Sequence, residues 1–147
     1  MSILIKLCSI LEEKKYVDAI KYFNKILKKE PYLVAAYSNK ACALKQLNKV
    51  EEALEVLENA IKINPKISGF YNNKGVILND LKRYEEAIEA YDQAIRIDSK
   101  DMEAYYGRGC ALNRLERFEE ATKAFNKAIR IDLTYYESYY RVGHLIN

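Results

Sequence analysis

The chain has 147 residues, half of them hydrophobic, with 24 basic against 21 acidic side chains and a formal charge of +3. The charges are dispersed, so no basic block implies a nucleic acid or an anionic membrane, and no apolar run approaches the ~20 residues a bilayer crossing needs. Three cysteines, an odd count of thiols, fit a reducing compartment, and the expected location is cytoplasmic.

The opening, Met-Ser-Ile-Leu-Ile-Lys-Leu-Cys-Ser-Ile, has no basic residue before its apolar stretch and leads straight into Glu12-Glu13-Lys14-Lys15. A secretory leader is built otherwise. Its register comes from the rest of the chain: Leu7, Ile10 and Ala19 lie three periods of 34 residues before Gly109, Leu112 and Ala121. Residues 1–33 are therefore expected to form a first repeat, with Leu7 and Ile10 on a core face. Ile3 replaces an aromatic there, and Glu13 stands where Leu47, Leu81 and Leu115 stand. Terminal repeats are atypical because one flank meets water.

Residues 34–67 and 68–101 are regular. Tyr37, Tyr71, Tyr105 and Tyr139 recur at 34, as do Glu51-Glu52-Ala53, Glu85-Glu86-Ala87 and Glu119-Glu120-Ala121. Ala60, Ala94 and Ala128 follow, then Ile63, Ile97 and Ile131. A fixed period without insertion marks a repeat array. Pro65 is expected to end one second helix, with Ser68 and Asp101 as N-caps of the next first helices.

In residues 102–135, Tyr105, Gly109 and Leu112 fall at i, i+4, i+7, and Phe118, Ala121, Phe125 and Ala128 mark one face of a second helix. Two antiparallel helices of roughly 13–15 residues, about 20 Å each, make one repeat. Gly109, Ala121 and Ala128 let the backbones approach, while Tyr105, Phe118 and Phe125 fill the gaps between layers. Glu119 and Glu120 open the second helix and Lys127 and Arg130 are expected in its last turn, matching the dipole. Residues 136–147 are expected to form a separate terminal helix, with Tyr139, Val142, Gly143 and Ile146 on the first-helix core pattern. Tyrosines crowd this end. It reads as a capping helix, as the start of a longer array, or as a self-association surface of Tyr136, Tyr139, Val142 and Ile146 that would support a homodimer.

These residues resemble the tetratricopeptide repeat (TPR), whose signature sets an aromatic and small residues in the first helix before Ala, a large residue and a closing Pro in the second. The resemblance covers the whole chain. Tyr37, Tyr71, Tyr105 and Tyr139 take the usual Trp place. Ala19, Ala53, Ala87 and Ala121 hold the Ala, Phe23, Leu57, Tyr91 and Phe125 the large residue, and Pro31 and Pro65 the proline, which Ser99 and Leu133 lack. The resemblance implies an all-α fold, a right-handed α–α superhelix of four helix-turn-helix repeats (1–33, 34–67, 68–101, 102–135) plus a C-terminal helix, in one domain.

Chemistry is sparse. Cys8, Cys42 and Cys110 share one repeat position, and packed helices ~8–10 Å apart are too distant for a disulfide between such equivalents. They read as a small residue reused by duplication. His144 has no second His, Cys or acidic cluster for a metal and no nucleophile to activate. Gly107 and Gly109 lack the strand and third Gly of a phosphate loop. No catalytic residue, metal or cofactor is expected, and the chain is read as a non-enzyme.

What remains is a concave face, which in proteins with this repeat is lined by the first helices. Its expected members are Ser38, Asn39, Cys42 and Lys45, then Asn72, Asn73, Val76 and Asn79. Tyr106, Cys110 and Asn113 follow, with Tyr140 and Arg141 from the last helix. Asn39 and Asn73 stand one repeat apart, and an amide donates and accepts as a peptide group does; they are either rungs for a partner backbone or solvated residues kept by duplication. The carboxylate clamp of chaperone-binding relatives would fall on Ser38, Cys42, Asn73, Glu103 and Gly107, where only the central Asn fits. Lys40, Lys74 and Arg108 recur beside the core stripe, with stems that pack and heads that reach water, or as a basic stripe for an acidic partner. The expected function is a protein-interaction scaffold that holds a peptide segment or partner helix in this groove, and the alternative is assembly through the tyrosine-rich end.

Overall fold

The computed structural model describes the backbone of residues 3–146 and the side chains of residues 3–134. Among the described residues there are seven helices and no strand: α1 (Ile3–Lys29), α2 (Val34–Gln46), α3 (Val50–Ile63), α4 (Ser68–Asp80), α5 (Tyr84–Ile97), α6 (Met102–Arg114) and α7 (Phe118–Ile146). Each helix packs on the next in the chain, and α2 meets α4 and α4 meets α6, but among the described residues no helices further apart in sequence touch. Layers that touch only their neighbours make a solenoid, not a bundle. Among the described residues no helix is long and apolar enough to cross a membrane.

Small residues set the layer spacing. Ala53, Ala87 and Ala121, with Ala60, Ala94 and Ala128, are buried along the second helices. Leu44, Leu78 and Leu112 answer them from the first helices, and Phe70 meets the Tyr37 ring edge-on at 6.4 Å. Tyr37 also donates its hydroxyl hydrogen to the Pro31 carbonyl at 2.9 Å, tying the turn between repeats to the layer beneath.

Three helix pairs turn identically. Asn48, Lys82 and Glu116, one period apart, adopt φ of 59°, 59° and 58°. Around each, the N–H three residues beyond the helix reaches back five residues (Lys49 to Leu44, Arg83 to Leu78, Arg117 to Leu112, all at 2.9 Å). The left-handed residue itself donates to Lys45, Asn79 or Asn113. This is the Schellman termination, here made without glycine. Between repeats the chain uses proline or aspartate instead. Asn64 and Asp98 accept from the amides of Lys66 and Lys100, and the Asp101 carboxylate accepts from the Ala104 amide at 3.0 Å, capping α6 as expected. Ser68 is not a cap; it is the first residue of α4, and Ile67 holds the N-cap position without a side-chain bond.

Two expected turns are absent. α1 runs unbroken through Glu13-Lys14-Lys15, which stand where the other repeats have Leu47, Leu81 or Leu115 and the left-handed residue. A left-handed L-residue costs roughly 1–2 kcal/mol, and without a leucine to seat behind the turn that cost has no return. The first repeat is thus one helix of 27 residues in which nothing is buried. Leu7 and Ile10 are 50% and 60% exposed, not core. Likewise α7 continues through Asp132-Leu133-Thr134-Tyr135, where proline and the capping Asp101 have no counterpart. Thr134 Oγ1 donates to the Arg130 carbonyl at 2.8 Å, a bond along a helix and not a turn. Residues 118–146 are one helix, so Lys127 and Arg130 sit in its middle, and no separate helix begins at 136. Phe118 is 59% exposed, since α7 runs straight on and no described helix folds back over it as one does over Tyr84.

Candidate functional site: a groove on the first helices

Helices α2, α4 and α6 lie side by side because each second helix is tucked behind them. Their shared outer face carries two adjoining clefts. One, of about 160 Å³, is bounded by Ala41, Cys42, Lys45, Asn73, Val76 and Ile77. The other, of about 320 Å³, lies between α4 and α6, with Asn72, Val76, Asn79, Asp80 and Tyr91 on one side and Met102, Glu103, Tyr106, Gly107 and Cys110 on the other. Val76 belongs to both, so they run into one another.

The larger cleft is floored by Tyr91 of α5, which is 1% exposed. Its ring reaches the groove only because glycine stands on both flanks. A Cβ at Gly75 would come within 2.6 Å of the ring, and one at Gly107 would also run into it. Gly109 similarly admits Phe125, where a Cβ would lie 2.7 Å from the ring. Asn79 Nδ2 donates to the Tyr91 hydroxyl at 3.2 Å. Burial drives the Tyr91 phenol well above its ordinary pKa; the nearby Cys110 adds to that, and the Asn79 bond only partly opposes it. Asn72 is 7% exposed and donates from Nδ2 to Glu103 Oε2 at 3.2 Å.

Of the residues expected in the groove, the structure gathers Asn72, Val76, Asn79, Tyr106 and Cys110 around the larger cleft and Cys42, Lys45 and Asn73 around the smaller. Ser38, Asn39 and Asn113 border neither. Lys45 is tied across the groove to Asp80 at 3.2 Å. The side chains of Tyr140 and Arg141, and of Tyr136, Tyr139, Val142 and Ile146, lie outside the described residues. Sequence reasoning missed Met102 and the Tyr91 hydroxyl. The clue was Tyr91 itself, the one hydroxyl in a slot that is Phe23, Leu57 or Phe125 elsewhere. Lys74 and Arg108 are not a free basic stripe: they pair with Glu58 at 3.1 Å and Asp92 at 2.7 Å, one repeat apart. Lys40 faces the same register, where the acid is replaced by Asn24. The three cysteines are free thiols.

A tetratricopeptide repeat model matches residues 34–67 and 103–135, a second matches 56–89, and a TPR repeat model matches 75–115, so that together they cover 34–135 without a gap. The chain is a tetratricopeptide repeat protein. The TPR architecture also appears in solved structures. A MamA crystal structure superposes with a TM-score of 0.72 at 25% identity, over 83% of this chain and 67% of that one. The Arabidopsis OM64 TPR domain gives 0.64 at 26% identity, over 67% and 81%. The second TPR of Spaghetti (RPAP3), bound to the HSP90 peptide SRMEEVD, gives 0.66 at 21% identity, over 71% and 97%. No curated protein sequence matches this TPR chain.

Proposed function

We propose that this TPR protein is a non-enzymatic interaction scaffold that holds an extended peptide segment along the trough of α2, α4 and α6. The observation that carries the reading is the continuity of the two clefts through Val76, with amide side chains at intervals along them. Amides bond a partner's backbone whatever its side chains, and a preformed trough lowers the ordering cost of binding. The second TPR of Spaghetti, similar in fold, is bound to an HSP90 peptide. Here Ser38, Cys42, Asn73, Glu103 and Gly107 leave a single amide at the clamp positions, so the partner is held along its length and not by a terminal carboxylate.

The test begins with peptides selected by display on the intact chain. Replacing Asn73, which borders the smaller cleft, with Ala is expected to weaken the selected peptides about threefold, one hydrogen bond's worth. The melting temperature should stay within ~2 °C, since Asn73 is not in the core. Unchanged affinity removes the amide rungs from the reading.

A second reading, assembly of copies, is favoured by α1. Ile3, Leu4, Leu7, Ile10 and Leu11 are 50–78% exposed along its first half, an apolar stripe of the kind that marks an interaction surface. Light scattering over a concentration series decides it. A monomer throughout would sink it.

A further inference from the structure

The larger cleft has a polarity that a generic peptide trough does not require. Asn72 Nδ2 faces Glu103 Oε2, and a carboxylate only accepts, so the amide nitrogen must point that way. Asn72, which lines the cleft, then keeps its Oδ1 buried and without a hydrogen-bond partner. Asn79 Oδ1 is in the same state. The two asparagines are seven residues apart on α4, about 10 Å along its axis. Glu103 has no ion pair among the described residues. Its acidic neighbours differ: Asp80 is paired with Lys45 and Asp92 with Arg108. Opposite these acceptors stands the Tyr106 ring, 61% exposed and packed against Phe125 at 5.7 Å. Val76 and Met102 supply apolar wall.

We infer that this cleft is a subsite for an arginine side chain of the bound segment, an inference that rests on the peptide-trough reading above. Two orphan acceptors and an uncompensated carboxylate repel anions and ask for a group that only donates. A guanidinium offers five donors and no acceptor, and its plane stacks on an aromatic face, which a compact, strongly hydrated ammonium does less well. The cleft's 320 Å³ lies at the small end of ligand sites, suited to a side chain and not to a folded partner. Asn72 Oδ1 and Glu103 take the guanidinium donors. Asn79 Oδ1, about three extended residues further along, takes a backbone N–H of the same segment.

The probes are the pentapeptide Ac-Ala-Ala-Arg-Ala-Ala-NH₂ and its citrulline counterpart, which keeps the shape and loses the charge. They are titrated at millimolar concentration into the ¹⁵N-labelled chain of 147 residues. The arginine peptide is expected to shift the Asn72 side-chain amide and the backbone amides of Gly107 and Cys110. It should bind about fivefold more tightly than the citrulline peptide. Glu103→Gln, which still accepts from Asn72, should abolish that preference. Equal binding of the two peptides, or shifts confined to other faces, overturns the subsite. Display selection separates this failure from failure of the trough. Peptides that bind the groove but carry no basic residue overturn the arginine subsite and leave the trough standing, whereas recovery of no groove-binding peptide overturns both.

Discussion

Tyr91 is a large side chain held in a slot that closes around it. Gly75 and Gly107 flank the ring, Asn79 meets the hydroxyl, and almost none of the residue touches water. Removing the hydroxyl with Tyr91→Phe breaks one hydrogen bond and strands an amide, an expected loss of about 1 kcal/mol at pH 7. The pH dependence has a definite sign. Burial raises the folded-state pKa above the ordinary phenol value of about 10. The stability tied to the neutral phenol is therefore complete below pH 10. It is lost as pH rises further, where the unfolded chain ionises and the folded one does not. Denaturant melts at pH 7 and near pH 11 should show the wild-type advantage shrinking and then reversing, because Phe has nothing to ionise. An advantage that holds constant with pH would show that burial does not control this phenol. Residues such as Asn72 were harder to read. Its position beside Tyr71 on a first helix announced a groove residue, but the side chain is 7% exposed. Sequence spacing gives the direction of a side chain to within a fraction of a turn, and the border between groove and packing seam is no wider than that.

At the scale of the helix pair, the period fixed which faces meet, and the five helices α2 to α6 fall where the repeat puts them. Turns obey different chemistry. A helix continues unless something stops it, and the stopping signals here are few: leucine before a left-handed residue, proline, or a capping aspartate. Glu13-Lys14-Lys15 and Asp132-Leu133-Thr134-Tyr135 have none of these, yet the strong 34-residue phase on either side suggested a turn at both. The same turns offer a direct test, because Lys82 and Glu116 hold φ near 59° without being glycine. Replacing either by Gly removes a left-handed penalty of roughly 1–2 kcal/mol at some cost in chain entropy, for an expected gain of about 0.5–1 kcal/mol. Asn48→Gly should gain less, since asparagine already tolerates this conformation. Thermal melts of the three single variants check the ranking. A loss on Lys82→Gly would mean that its side chain contributes more than its backbone costs.

Across the whole molecule, stability should follow the nearest-neighbour arrangement of the layers. The centre has neighbours on both sides, and Leu112, 0% exposed in α6, belongs to it. Leu112→Ala should cost roughly 2–5 kcal/mol. The first half of α1 is the opposite case, exposed at every position from Ile3 to Lys15. Only from Tyr16 onward does the helix become half-buried, through Ile20 and Phe23. Deleting residues 1–12 from a monomer should therefore leave the unfolding free energy within about 0.5 kcal/mol of the intact chain. Hydrogen exchange should be slowest in α4 to α6 and quicken toward α1. If copies instead pair through the stripe of Leu4, Leu7 and Leu11, the deletion removes an interface, and the loss must grow with protein concentration as mass action requires. Melting the full and shortened chains at two concentrations a hundredfold apart separates these cases. A concentration-independent null effect places the working surface in the trough alone, and a concentration-dependent loss gives α1 a partner.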